Sequence, residues 1–158
     1  MNRMTKKRLG EILIGKGLIT EKQLEEPLSE QRLTKEFLGA ILVKRKLITE
    51  EQLLKTLSEQ MGIPFVHLEK EKIDWNVSSQ FSNSLLIEHK CFPIRKDDLY
   101  LTVASANPMD MWPMSELEKR VMPLKVKLVL ATQEEILKLL RRHHDKVLGN
   151  IQKMLEEN

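Results

Sequence analysis

The chain has 158 residues, 41% of them hydrophobic, and 26 Lys+Arg against 23 Asp+Glu leave a net charge of +3. That supplies core for one generous domain or two small ones, and it excludes a polybasic arm. The single cysteine, Cys91, excludes a disulfide-stapled fold and a cysteine-rich zinc site, and 4% aromatics argue against a base-stacking platform. No long apolar run follows the basic N-terminus, so the reading is a soluble cytoplasmic protein without direct membrane insertion.

The first sixty residues repeat. Thr5–Gln31 laid over Thr34–Gln60, a shift of 29, gives 16 identities in 27 positions. Each copy reads as helix–turn–helix. Leu9, Ile12 and Leu13 mark one helical face, and Gly17 supplies a stop. Thr20 with Gln23, and Thr49 with Gln52, have capping-box spacing. Leu24, Leu28 and Gln31 share a face, as do Leu53, Leu57 and Gln60. Pro27 predicts a kink in the second helix. Gly10 and Gly39 stand inside apolar helical patterns, where glycine costs about 1 kcal/mol against alanine. Either a neighbouring helix or a ligand approaches the backbone there.

From Met61 the pattern changes. Gly62–Phe65 reads as a connector and Glu69–Asp74 as a charged linker. A helix is expected over Ser78–Lys90, then strands Cys91–Arg95 and Leu99–Ser105 around an Asp97-Asp98 turn. A loop at Ala106-Asn107-Pro108 leads to a helix with Pro113 near its start. Leu124–Leu130 alternates as a strand, and Thr132 with Glu135 opens a helix running to about Leu148. Strand, helix, strand implies a parallel pair. The fold class is α+β: an N-terminal helical tandem repeat over 1–62, a small mixed α/β part with a short sheet over 63–144, and a helical tail or linker over 145–158.

Catalytic patterns are weak. Gly10 to Gly17 nearly fits a phosphate loop, but Gly17 lacks the hydroxyl that holds magnesium and the intervening residues are an apolar helical run. His143 and His144 point about 100° apart on a helix and do not form one metal site. Cys91, near His89, reads as a small buried residue opening a strand. No enzyme and no metal are expected.

Two function classes remain. Helix–turn–helix units invite DNA binding, but Glu21, Glu25, Glu26 and Glu30 of copy one and Glu50, Glu51 and Glu59 of copy two would repel a phosphate backbone. The alternative is a regulatory or docking domain. The first sixty residues hold 12 Lys+Arg against 9 Asp+Glu, and the remainder is balanced, so the cationic excess lies on the repeat, with Lys6, Lys7 and Arg8 at one helix start and Lys35 at the other.

The doubled pattern R-L-G-x-x-L-x-x-x-G-x-I-x-x-x-x-L-x-x-x-L-x-x-Q, with a five-residue spacer, resembles the MshEN domain of type II secretion and type IV pilus assembly ATPases. Copy one matches at Arg8, Leu9, Gly10, Leu13, Gly17, Ile19, Leu24, Leu28 and Gln31. Copy two keeps Leu38, Gly39, Leu42, Ile48, Leu53, Leu57 and Gln60, with Phe37 in place of the arginine and Lys46 in place of the second glycine. The stretch from Phe81 to Leu140 also resembles the small α/β part of these regions. The resemblance implies binding of cyclic di-GMP by Arg8, Leu9, Gly10, Leu24, Leu28, Gln31, Phe37, Leu38, Gly39, Leu53, Leu57 and Gln60, with Asn107 closing over the ligand and no cofactor besides. Phe37 can stack on a base but cannot donate to it, an expected loss of about 1–3 kcal/mol, partly compensated by Lys35 or Lys46. It also implies a protein partner, a motor or inner-membrane platform component, and a competing role as a nucleotide-free docking module. In the family an ATPase motor follows this region; here the chain ends at Asn158 without a phosphate loop.

Overall fold

The computed structural model describes residues 8–110 and 112–157, with the Trp112 side chain outside that description. Two compact units meet at Ile63 and Pro64.

The first unit is four helices: α1 (Leu9–Gly15), α2 (Glu21–Thr34), α3 (Leu38–Lys44) and α4 (Glu50–Met61). Both anticipated capping boxes close reciprocally. Gln23 N–H donates to Thr20 Oγ1 (3.1 Å) and Thr20 N–H to Gln23 Oε1 (2.9 Å), and Thr49 with Gln52 repeats both distances. The short first helix of each copy ends in the same way. The Leu18 N–H reaches Leu13 O (3.0 Å) and Gly17 N–H reaches Ile14 O (2.9 Å), with Leu47 on Leu42 and Lys46 on Val43 in copy two. This Schellman closure puts one residue in the left-handed region: Gly17 at φ 72° and Lys46 at φ 60°. The second glycine of the motif is thus a helix stop, and Lys46 takes the same backbone shape with a side chain attached.

Each first helix packs on the other copy's second helix, α1 on α4 and α2 on α3. Leu13, Ile41, Leu42, Leu54 and Leu57 are fully buried between them. Helix α2 runs unbroken through Pro27, whose ring is buried.

The second unit holds a three-stranded sheet, β1 (Cys91–Lys96), β2 (Tyr100–Ser105) and β3 (Lys125–Leu130), in the order β1-β2-β3. The first pair is antiparallel and the second parallel, joined through α7 (Trp112–Val121). Asp97 makes the hairpin turn, its carboxylate accepting from the N–H groups of Leu99 and Tyr100 (both 2.8 Å), and these bonds hold its pKa below the usual range. Phe92, Leu86, Ile94, Leu101, Leu117 and Ile136 centre the core.

Four expectations need correction. The single helix over Ser78–Lys90 is two, α5 (Trp75–Ser78) and α6 (Asn83–His89), because Ser82 caps the second through Leu85 N–H (3.3 Å) and Phe81 turns into the core. The charged linker Glu69–Asp74 is pinned: Leu68 is buried at the start of a 3-10 turn, Leu68–Lys70, and Asp74 N–H donates to Ile94 O (2.8 Å). Thr132 caps α8 (Gln133–Glu156), but only half of the box forms. Glu135 N–H donates to Thr132 Oγ1 (3.4 Å), while the Glu135 carboxylate accepts from Leu68 N–H (2.9 Å). Finally, α8 continues past Leu148 to Glu156 without a break at 145.

Candidate functional site

The motif residues of the first unit fall into two related sets. Gly10 and Gly39 each sit in the first turn of their short helix, and each faces a leucine from the same copy's second helix. A Cβ at Gly10 would lie 2.8 Å from Leu24 Cδ2, and one at Gly39 would lie 2.5 Å from Leu53 Cδ1. The glycines therefore admit a leucine against the backbone in each copy.

The sets differ in what surrounds that contact. Arg8 stands exposed at the N-cap of α1, its backbone N–H bonded to Glu11 Oε2 (3.3 Å). Phe37, at the matching position, is half-buried and folds over its glycine, with Cε1 2.7 Å from where a Gly39 Cβ would stand. Leu24 and Leu28 are half-buried, whereas Leu53 and Leu57 are buried; Gln31 and Gln60 are alike half-buried. Copy one presents an open apolar strip beside an arginine. Copy two has closed the corresponding strip with its own ring and leucines. Leu9 and Leu38 are both buried in the helix packing.

Ion pairs obey the same symmetry. Lys16 Nζ meets Glu59 Oε2 at 2.8 Å, and at the positions 29 residues away Arg45 Nε meets Glu30 Oε2 at 2.7 Å. Arg45 also reaches Glu26 (2.9 Å), and the hydrogen bonds it donates to both carboxylates raise its pKa. Each pair ties the end of one copy's first helix to the other copy's second helix. The repeat alignment carries the signal, since Lys16 lies over Arg45 and Glu30 over Glu59. These pairs consume part of the acidic face of α2. A groove of about 560 Å³ on that side is lined by Glu25, Glu26, Glu30, Leu33 and Arg45, the wrong sign for a phosphate ligand. Lys35 is exposed, with left-handed backbone at the C-cap of α2, while Lys6 and Lys7 lie outside the described residues.

The run with near phosphate-loop spacing is helix α1 with its Schellman turn, and Lys16 in it faces Glu59. Asn107 belongs to the second unit, in the turn after β2. Its N–H donates to Ser105 Oγ (3.1 Å) and its Oδ1 accepts from Met109 N–H (3.1 Å), so its side chain shapes that turn. Cys91 is buried, and burial, with the nearby Asp110 carboxylate, pushes its thiol up to about 12. His143 is buried as well. Its Nε2–H donates to Ser78 O (3.0 Å), and the Asn83 carboxamide bridges the Nδ1 atoms of His143 and His144. Among the described residues there is no cluster of three metal-ligating side chains, and no helix is long and apolar enough to cross a membrane.

The MshEN domain matches residues 61–149, more than half of the chain. The chain belongs to the MshEN domain family. Its relatives are N-terminal domains of type IV pilus and type II secretion ATPases. The matched stretch is the second unit, while the doubled motif precedes it. A solved structure of MshE with cdg resembles the chain at TM-score 0.75 and 25% identity, over 87% of this chain and 99% of that one. The second unit alone is 95 of 158 residues, so this MshEN likeness extends into the repeat. The N-terminal domain of XpsE has the same fold at TM-score 0.67 and 20% identity, over 90% of this chain and 98% of that one. No curated protein matches the chain.

Proposed function

We propose that this MshEN chain is a regulatory domain that binds cyclic di-GMP on its repeat, through Arg8, Leu9, Gly10, Leu24, Leu28 and Gln31 of copy one and Phe37, Leu38, Gly39, Leu53, Leu57 and Gln60 of copy two. The observation that carries this reading is the symmetry of the repeat. Two glycine–leucine contacts and two cross-copy ion pairs are related by the same shift, as a ligand with two equivalent guanylate halves requires. The likeness to MshE, solved with cdg, supports it.

The halves are unequal. Copy one offers an exposed guanidinium, able to donate two hydrogen bonds to the O6/N7 edge of guanine, beside half-exposed Leu24 and Leu28. Copy two offers the Phe37 ring face and no second guanidinium at that position. The repeat therefore grips one guanine by hydrogen bonds and the other by stacking. Asn107 serves its own turn, and the domain acts without catalysis or cofactor, passing the ligand signal to a secretion or pilus partner. Calorimetric titration with cyclic di-GMP tests this, with GTP and cyclic di-AMP as controls.

A second reading is favoured by one observation: Phe37 covers Gly39 as a ligand base would. On that reading copy two is closed for good and the domain docks a protein partner without nucleotide. Saturable cyclic di-GMP binding would exclude it.

A further inference from the structure

We propose a second anion site, in the α5–α8 cleft of the second unit, that takes the phosphate groups of a diphosphate or phosphodiester. The cleft encloses about 400 Å³ and is lined by Trp75, Asn76 and Ser79 from the α5 side and by His143, Lys146, Asn150 and Lys153 from α8. No carboxylate lines it. Its polar groups are two carboxamides and two ammonium groups, with a serine hydroxyl that donates to Asn76 O (3.0 Å). His143 contributes only a ring edge, since both of its nitrogens are engaged inside the unit.

The cations are arranged, not scattered. Arg142, Lys146 and Lys153 recur at i, i+4 and i+11, on one stripe of α8. Trp75 holds two of them against its ring, Lys146 Nζ at 4.6 Å and Arg142 Cζ at 5.2 Å from the centroid. Among the described residues none of the three pairs with a carboxylate, whereas Lys16, Arg45, Arg95, Lys119, Lys125 and Lys138 all do. Two cations against an aromatic ring and a third further along the same stripe, none of them in an ion pair among the described residues, repel one another until an anion arrives.

The spacing selects the anion. Lys146 and Lys153 are seven residues apart, about 10 Å along the helix axis. One small carboxylate engages one ammonium. A ligand carrying two phosphates, or a phosphodiester with further acceptors, engages both, and the volume leaves room for it. The source is a soluble phosphate ester or a phospholipid headgroup, and the chemistry at the cleft is the same.

The test follows the Trp75 indole N–H resonance, distinguished from that of Trp112 by Trp112→Phe, on the full chain. Pyrophosphate and inorganic phosphate are the soluble probes. Phosphatidylglycerol in phosphatidylcholine vesicles, against phosphatidylcholine alone, is the lipid probe. The expected result is a saturable shift, tighter for pyrophosphate than for phosphate, weakened about tenfold or more in Lys146→Gln/Lys153→Gln and unchanged in Lys138→Gln. Binding to phosphatidylglycerol vesicles alone, with the same variant dependence, assigns the site to a headgroup. Arg8→Ala leaves the shift intact, because this site stands apart from the repeat reading. No saturable response to any probe, or a response that the double variant retains, would overturn the proposal.

Discussion

Gly10→Ala and Gly39→Ala make the same chemical change at equivalent positions, yet they have different outcomes. In each, alanine gains less than about 1 kcal/mol of helix propensity, since both sites lie in a first turn. At Gly10 the new methyl meets only the end of Leu24, at 2.8 Å, and Leu24 is half-exposed and able to swing away. At Gly39 the methyl meets Leu53 Cδ1 at 2.5 Å and Phe37 Cε1 at 2.7 Å, and Leu53 is 7% exposed. Forcing a methyl into such a site costs about 1–3 kcal/mol. Gly10→Ala is therefore expected to be neutral or slightly stabilising, and Gly39→Ala to lose about 1–2 kcal/mol after the propensity gain is subtracted. Urea unfolding followed by circular dichroism measures both, with midpoints compared at constant slope. Placing Gly39→Ala in a Phe37→Ala background removes one of the two obstructions, so the loss shrinks and the two changes are non-additive. Equal losses at both glycines, or a gain at Gly39, would refute the packing argument.

Lys46→Gly removes a side chain from a left-handed residue (φ 60°) and is expected to raise stability by up to about 1 kcal/mol, read from the same urea curves. His143 carries a pH signature. Burial lowers its pKa below the ordinary value of 6.5, and the neighbouring His144 pushes the same way against the Ser78 hydrogen bond. Because the unfolded chain takes up the proton first, stability falls as pH drops below 6.5 and levels off beneath the folded value, while above 6.5 this group contributes no slope. Unfolding curves from pH 7.5 to 5 should show that loss, and His143→Gln should flatten it. Cys91, its thiol at about 12 and buried, should resist iodoacetamide in the native state and react at once in urea, as mass spectrometry of the alkylated chain would show.

Local rules made the repeat legible. The capping boxes at Thr20 and Thr49, the stop at Gly17, the alternation of β3 and the Asp97 turn each depend on residues a few positions apart, and all formed. What escaped depends on distance. Glu135 leaves its own capping box for Leu68 N–H, 67 residues away, and Asp74 N–H crosses to Ile94 O. Neither partner leaves a trace in local pattern, so a pinned segment read as a linker. The helix expected over Ser78–Lys90 broke because Ser82 capped a fresh start, a competition that propensity alone does not settle. At the candidate site, the doubled motif named the residues of each copy and showed Phe37 in place of an arginine, but not what that exchange does to the packing. Only the packing shows that Phe37 closes over Gly39 while Arg8 stands exposed.

The central claim is that the repeat binds cyclic di-GMP, with copy one gripping by arginine and copy two by a ring. Calorimetric titration of the chain, Arg8→Ala and Phe37→Arg addresses it directly. The account predicts saturable binding selective over GTP and cyclic di-AMP, about ten- to a hundredfold weaker in Arg8→Ala and tighter by a similar factor in Phe37→Arg, where the second guanine regains a bidentate donor. No heat from the chain or from Phe37→Arg at high ligand concentration, or binding indifferent to Arg8→Ala, would contradict it.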